Sequence, residues 1–253
     1  MRGEFQVPSF RVQETLSTES AARSASDRAV VTFGPRCSEL LSRSELLSWL
    51  RSDCQVSSER KPETGLRPVS WIVLHCSATK LSQSYPYERL ARDHKKRGFG
   101  EWPGYHFYVT KDGTLYYCRP IGVKGCHVKG HNEGTVGVCY EGGLRDVQVA
   151  GSKFQVSGSK VQGSGSKVQG SGFKAPSGLR PESPYEDTRT AEQMITLHWL
   201  LVTLHEIWPL AKICGHRDFS PDKNGNGVID PWEYIKACPC FDARHEYAYI
   251  FGT

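Results

Sequence analysis

The sequence predicts an α/β fold: a single domain with a central mixed β-sheet flanked by helices, carrying a low-complexity insert and a poorly ordered N-terminal leader. Three observations lead there. Short runs of β-branched and aromatic residues alternate with segments of helical period, which is the pattern of strands and helices in one layered domain. A Gly/Ser/Lys repeat splits that pattern over 145–186. The first 68 residues are Ser-rich and weakly patterned.

Within the leader, ELLSRSELLSWLR (39–51) has apolar residues at 40, 41, 46, 47 and 50, the stripe of one short helix. Patterned sequence begins at Val69. VSWIVLHCS reads as a buried strand, and PYERLARDHKKRG (86–98), with Pro at its start and Gly at its end, as a helix. GYHFYVTKDGTLYYCRP places Asp112-Gly113 between two alternating runs, a hairpin in which Gly takes positive φ. TVGVCYEGG (135–143) is a further strand.

The insert repeats GSKFQVS, GSKVQGS and GSKVQGS from residues 151, 158 and 165. Gly and Ser occupy the places where a coiled coil needs bulk, so the expectation is an exposed loop of about 40 residues. Gly-Leu-Arg-Pro stands at 65–68 and again at 178–181, a trace of duplication. Beyond it, DTRTAEQMITLHWLLVTLHEIWP offers Thr188 or Thr190 as N-cap and stops before Pro209, a long helix packed on the sheet. AKICGH is a last strand ending at His216, and DPWEYIKAC a short helix. The chain thus divides into a leader (1–68) and one domain (69–253) interrupted by the insert at 145–186.

Composition excludes several classes. With 23% charged and 38% hydrophobic residues in 253, the chain suits a globular protein. No stretch approaches the ~20 apolar residues of a membrane span, and the N-terminus has no apolar secretion-signal core. The net charge of +5 is mild and forms no Lys/Arg stripe with interleaved aromatics, so nucleic acid is not an expected partner. The nine cysteines are odd in number and irregularly spaced, which favours free thiols and a reducing compartment over a disulfide scaffold. The expected state is a monomer without membrane insertion.

Three residues point to chemistry. His75 and His216 each end a strand, and Cys238 lies 22 residues beyond His216. Strand ends converge at one edge of an α/β sheet, and two imidazoles with a thiolate suit zinc with an open fourth position. The spacing matches no compact zinc-finger pattern, and both residue types also serve as ordinary structural residues. Asp222, Asn224, Asn226, Asp230 and Glu233, with Gly227 at the sixth position, reproduce the spacing of an EF-hand calcium loop. No incoming helix precedes that loop. Calcium is therefore a second candidate cofactor.

IVLHCSAT (72–79), GYHFYVTKDGT (104–114), RPIGVKGCHVKGHNEGTVGVCYEGG (119–143) and GHRDFSPDKNGNG…KACPCFD (215–242) together resemble the type-2 N-acetylmuramoyl-L-alanine amidases. The likeness is nearest to the zinc-dependent phage lysozyme-like branch, whose fold is shared with peptidoglycan recognition proteins. It covers about half the chain. The resemblance implies zinc ligands at His75, His216 and Cys238, and catalytic roles for Tyr105 and Lys236. It places His127, Lys129, His131 and Asn132 in a substrate-groove loop, where their donors face muramyl sugar and peptide carboxylates. The implied activity is hydrolysis of the amide between N-acetylmuramic acid and the L-alanine of the stem peptide, with peptidoglycan or muropeptides as partner. A non-catalytic peptidoglycan-binding module is the alternative. Synthesis is expected in the cytoplasm, with action on the bacterial wall after lysis or non-classical export, or in cytoplasmic wall recycling.

Overall fold

The computed structural model describes residues 8–11, 28–33, 38–57, 67–146 and 183–251. From the leader come strands β1 (Pro8–Arg11), β2 (Arg28–Phe33) and β3 (Ser38–Ser42) and helix α1 (Arg43–Ser57). The domain continues through β4 (Trp71–Cys76), β5 (Thr79–Lys80), α2 (Tyr87–Lys96), β6 (Phe107–Val109) and β7 (Thr114–Tyr117). There follow β8 (Thr135–Tyr140), β9 (Gly143–Leu144), α3 (Ala191–Ile207), β10 (Lys212–Gly215), α4 (Ala243–Glu246) and α5 (Ala248–Phe251).

Five strands in the order β10-β4-β8-β6-β7 form the central mixed sheet, and β1, β2 and β3 continue it beyond β7. β10, β4, β8 and β6 run parallel, while β7 returns antiparallel to β6. The α/β fold with a mixed sheet and flanking helices is therefore as the sequence predicts. β5 and β9 pair separately.

Continuous apolar text in β4 reflects burial on both faces of a parallel strand. Ile72, Leu74 and Cys76 pack in the core with Val136, Val138, Phe107 and Val109, where α3 contributes Leu197, Leu200, Leu201 and Leu204. Val73 turns the other way, toward Cys214 and Val128. Leu46 and Leu50 of α1 enter the α3 core, with the Trp49 ring edge-on to Tyr117 at 4.9 Å. Of the apolar stripe at 39–51, residues 40 and 41 lie on β3 and only 46, 47 and 50 on the helix.

α3 starts on a capping box: the Thr190 hydroxyl accepts from the Gln193 amide, and the Gln193 side-chain oxygen accepts from the Thr190 amide. The Gln193 carboxamide is wholly buried and also donates to the carbonyls of Val109 and Glu141, at 3.1 and 3.0 Å. The helix start is thus pinned to the ends of β6 and β8. The hairpin tip docks beside it, where Gly113, at φ +78°, has room for no Cβ against Glu192.

At the insert, the chain ends are drawn together. Leu144 bridges Tyr185, the Arg145 amide donates to the Pro184 carbonyl at 3.0 Å, and Glu186 donates to Gly143. The repeats themselves lie outside the described residues. The expected helix over 230–238 is reduced to a single 3-10 turn, Pro231–Glu233. Its competitor is the Glu233 carboxylate, which takes the amides of Lys223, Asn224 and Asp230.

Replacing Gln193 by Ala removes a buried donor from the carbonyls of Glu141 and Val109, the latter keeping the Glu141 amide at 2.8 Å, and removes half the capping box. We expect a loss of about 2–4 kcal/mol in urea unfolding, with the secondary-structure content of the folded state unchanged.

Candidate metal centre

Strand register assembles the centre. Alternation along β4 puts His75 on the face opposite α3, where it is 1% exposed. Leu74 is registered with Gly215 across the parallel β4–β10 pair, so His216, the next residue on β10's chain, comes level with His75. Their Nδ1 atoms stand 3.1 Å apart. Gly215 lets the third segment approach: a Cβ there would collide with the ring of Pro239. The Arg217 amide holds the Cys238 carbonyl at 2.8 Å, and the Tyr140 hydroxyl donates to the Pro239 carbonyl at 2.6 Å. Cys238 Sγ accepts the Cys76 amide at 3.0 Å.

One ligand atom each from His75, His216 and Cys238 lies within 4.8 Å of the others. Two nitrogens at ~2.05 Å from a tetrahedral zinc are about 3.3 Å apart, close to the separation seen here. The donor set fits zinc as well. Burial, followed by the charges of His127, His216 and Lys236, holds His75 well below the usual imidazole range. Burial, then Lys236, brings His216 down to about 4. Both imidazoles are therefore neutral at pH 7, as ligation requires. Burial pushes the Cys238 thiol up, and a divalent cation would be needed to take its proton.

His75 is oriented from behind. Its Nε2 lies 3.0 Å from His127 Nδ1, and His127 Nε2 lies 3.2 Å from the Thr135 hydroxyl, which reaches the carbonyls of His131 and Asn132. If His75 presents Nδ1 to a metal, its Nε2–H donates to His127, whose own Nε2–H passes to Thr135. Each member then donates one proton in one direction. Such outer partners fix the ligand's tautomer and ring plane. Two glycines admit the His127 ring: a Cβ on Gly125 would meet it at 2.5 Å and one on Gly137 at 2.7 Å.

The remaining site residues divide by exposure. Tyr105 packs its ring 5.0 Å from that of His75, and burial keeps its phenol well above the ordinary range, hence neutral and a donor. Its backbone is set by His94, whose Nδ1 accepts the Gly104 amide at 2.9 Å. Lys236 is exposed, and its charge reaches both His75 and His216. Asn132 faces inward, its Oδ1 accepting the amides of His127 and Val128, both at 2.8 Å. Lys129 and His131 are exposed, His131 with its ring 5.0 Å from Phe219. His127 is thus buried behind a ligand, a place that loop-based reasoning missed. The available signal was Gly137 inside an apolar strand, which marks a close approach.

The loop at 222–233 is closed by its own hydrogen bonds. Asp222 accepts from Gly225 and Gly227, Asn224 from Asn226, and Asn226 from Val228. Asp230 takes the side-chain amides of Asn224 and Asn226, and Glu233 is fully buried beneath three backbone amides.

Residues 65–233 match the N-acetylmuramoyl-L-alanine amidase family, Amidase_2. The chain belongs to that family. The match ends before Lys236 and Cys238, so the third donor rests on the motif resemblance and on the geometry rather than on the family match. A protein of Haemophilus influenzae is 37% identical over 131 residues, covering 52% of this chain and 83% of its own length. The endolysin of Escherichia phage T7 is 28% identical over 173 residues, covering 68% and 82%. Among solved structures, the endolysin amidase LysCS of Clostridium intestinale aligns at 22% identity and a TM-score of 0.43, over 71% of this chain and 80% of that one. Drosophila PGRP-LB aligns at 18% identity and 0.42, over 72% and 81%.

Two outcomes follow for this chain. His127→Ala should weaken zinc binding about 10- to 100-fold in chelator competition while leaving the circular dichroism spectrum unchanged. His94, brought from the ordinary 6.5 to about 4 by burial and then Arg97, is protonated in the unfolded chain first. Its contribution to stability is full above about pH 6.5 and is lost as pH falls toward 4. His94→Asn, which retains an acceptor for the Gly104 amide, should flatten the urea midpoint's dependence on pH across that window.

Proposed function

We propose that this amidase is a zinc-dependent peptidoglycan hydrolase that cleaves the bond between the lactyl group of N-acetylmuramic acid and the L-alanine of the stem peptide. One observation carries the reading: two neutral imidazoles and a thiol converge within 4.8 Å in a chain of the amidase family. His75, His216 and Cys238 would hold the ion. Zinc, when bound, supplies Lewis acidity and activates water at neutral pH.

The chain's own residues do the rest. His127 and Thr135 hold His75 in the tautomer that offers Nδ1. The Lys236 ammonium stabilises the oxyanion that develops as the amide carbonyl is attacked. The Tyr105 phenol, kept neutral by burial, donates a hydrogen bond to the same oxygen or orients the attacking water. Exposed Lys129 and His131 offer donors to the carboxylates of the stem peptide. The polymeric substrate places the proposed site of action at the bacterial wall.

The test is mass analysis of purified muropeptides incubated with the protein. Stem peptide should be released, release should stop with a chelator and return with zinc. Cys238→Ala should lose both zinc and turnover, whereas Lys236→Ala should retain zinc and lose about 10²- to 10³-fold in kcat. Muropeptide binding without any cleavage by the zinc-loaded protein would instead make the chain a recognition module.

A further inference from the structure

Two thiols adjoin the candidate ligands without belonging to them. Cys76 follows His75 at the end of β4 and is 5% exposed, while Cys240 lies two residues past Cys238 and is half-buried. Their sulfurs are 3.7 Å apart although 164 residues separate them in the chain.

The surrounding backbone is shaped for this meeting. Cys240 has φ +77°, a left-handed conformation unusual for a side chain with a Cβ, and its amide donates to the Ala237 carbonyl at 2.8 Å. That tight turn brings its thiol back toward β4, where it lies 3.4 Å from the Gly143 carbonyl. Gly143 is itself at φ +97°; a Cβ there would collide with Cys76 Sγ and stand 3.5 Å from Cys240 Sγ. A bare backbone thus makes room for both sulfurs. Closing from 3.7 Å to a disulfide of ~2.05 Å asks each sulfur to move about 0.8 Å, within reach of side-chain rotation.

We propose that Cys76 and Cys240 are a disulfide-forming pair that, in oxidising surroundings, staples together the two segments carrying His75 and Cys238. Cys240 is the more exposed partner and meets the oxidant first. Hydrogen peroxide converts its thiol to a sulfenic acid and releases one water. The Cys76 sulfur then attacks the sulfenic sulfur; the S–O bond breaks, and the hydroxyl leaves with the Cys76 thiol proton as a second water. Two thiols are oxidised by two electrons and one peroxide is reduced. Cys238 is left free, with its sulfur still on the Cys76 amide and beside the imidazoles. The bond therefore closes the cage around the ligands and removes none of them.

The experiment uses the full chain loaded with zinc, treated with hydrogen peroxide, alkylated and digested without reduction. Fragment spectra should show a cross-link from Cys76 to Cys240 that dithiothreitol reverses, with zinc content unchanged. Zinc transfer to a chromogenic chelator should slow by roughly tenfold, because the tether keeps the parted ligands near one another. Cys240→Ser should retain zinc, form no such cross-link and show no slowing. A cross-link through Cys238 with loss of zinc overturns the proposal, as does survival of both thiols. A Cys76–Cys240 bond that leaves the transfer rate unchanged overturns the staple. A chain that never binds zinc would instead sink the hydrolase reading, while the cross-link map would still decide whether the pair forms.

Discussion

The parallel pairing of β4 with β10 is the constraint on which the candidate centre depends. These strands are distant in sequence, and their register brings His216 beside His75. A one-residue slip would turn His75 into the α3 core and leave an aliphatic side chain where an imidazole is required. The register is specified because β4 is buried on both faces, so every alternative places the wrong side chains in contact with Leu200, Leu204 or Val128. The apolar core and the site are consequences of one alignment.

Around that alignment the chain positions its donors with backbone rather than bulk. Glycines at 125, 137 and 215 mark where a ring or loop lies directly against main chain. Hydrogen bonds from Arg217, Tyr140 and the Cys76 amide then fix the segment that carries Cys238. Burial does the electrostatic part: it holds His75, His127 and His216 neutral and Tyr105 protonated. Lys236 is exposed, and its charge helps to hold His75 and His216 neutral.

Much of this was legible in the residues. The β4 run, the Asp112-Gly113 hairpin and the Thr190 cap are local signals, and local physics decides them. The trio of His75, His216 and Cys238 became readable through motifs, since nothing in its spacing announces that β10 pairs with β4. His127 was read as a groove donor because exposure of a loop is the ordinary expectation; its inward turn depends on Gly137, ten residues on in β8. The leader's strands were missed for a different reason. β2 contains the β-branched run Val30-Val31-Thr32, but a short strand between Ser-rich stretches has meaning only once β7 offers an edge to β1. At 231–233 helical pattern yielded to a carboxylate that captures backbone amides more effectively than a helical turn would.

The joining of residues 143–145 to 184–186 holds the two points that flank the repeat sequence beside each other. Whatever lies between these points departs from and returns to the same small ladder, so adding or deleting a heptad unit changes the closure entropy only logarithmically. Replication slippage in such a tract can therefore alter the length of the protein while the register of the sheet, and everything set by it, stays the same. The ladder acts as a port at which evolution can lengthen the sequence without renegotiating the fold.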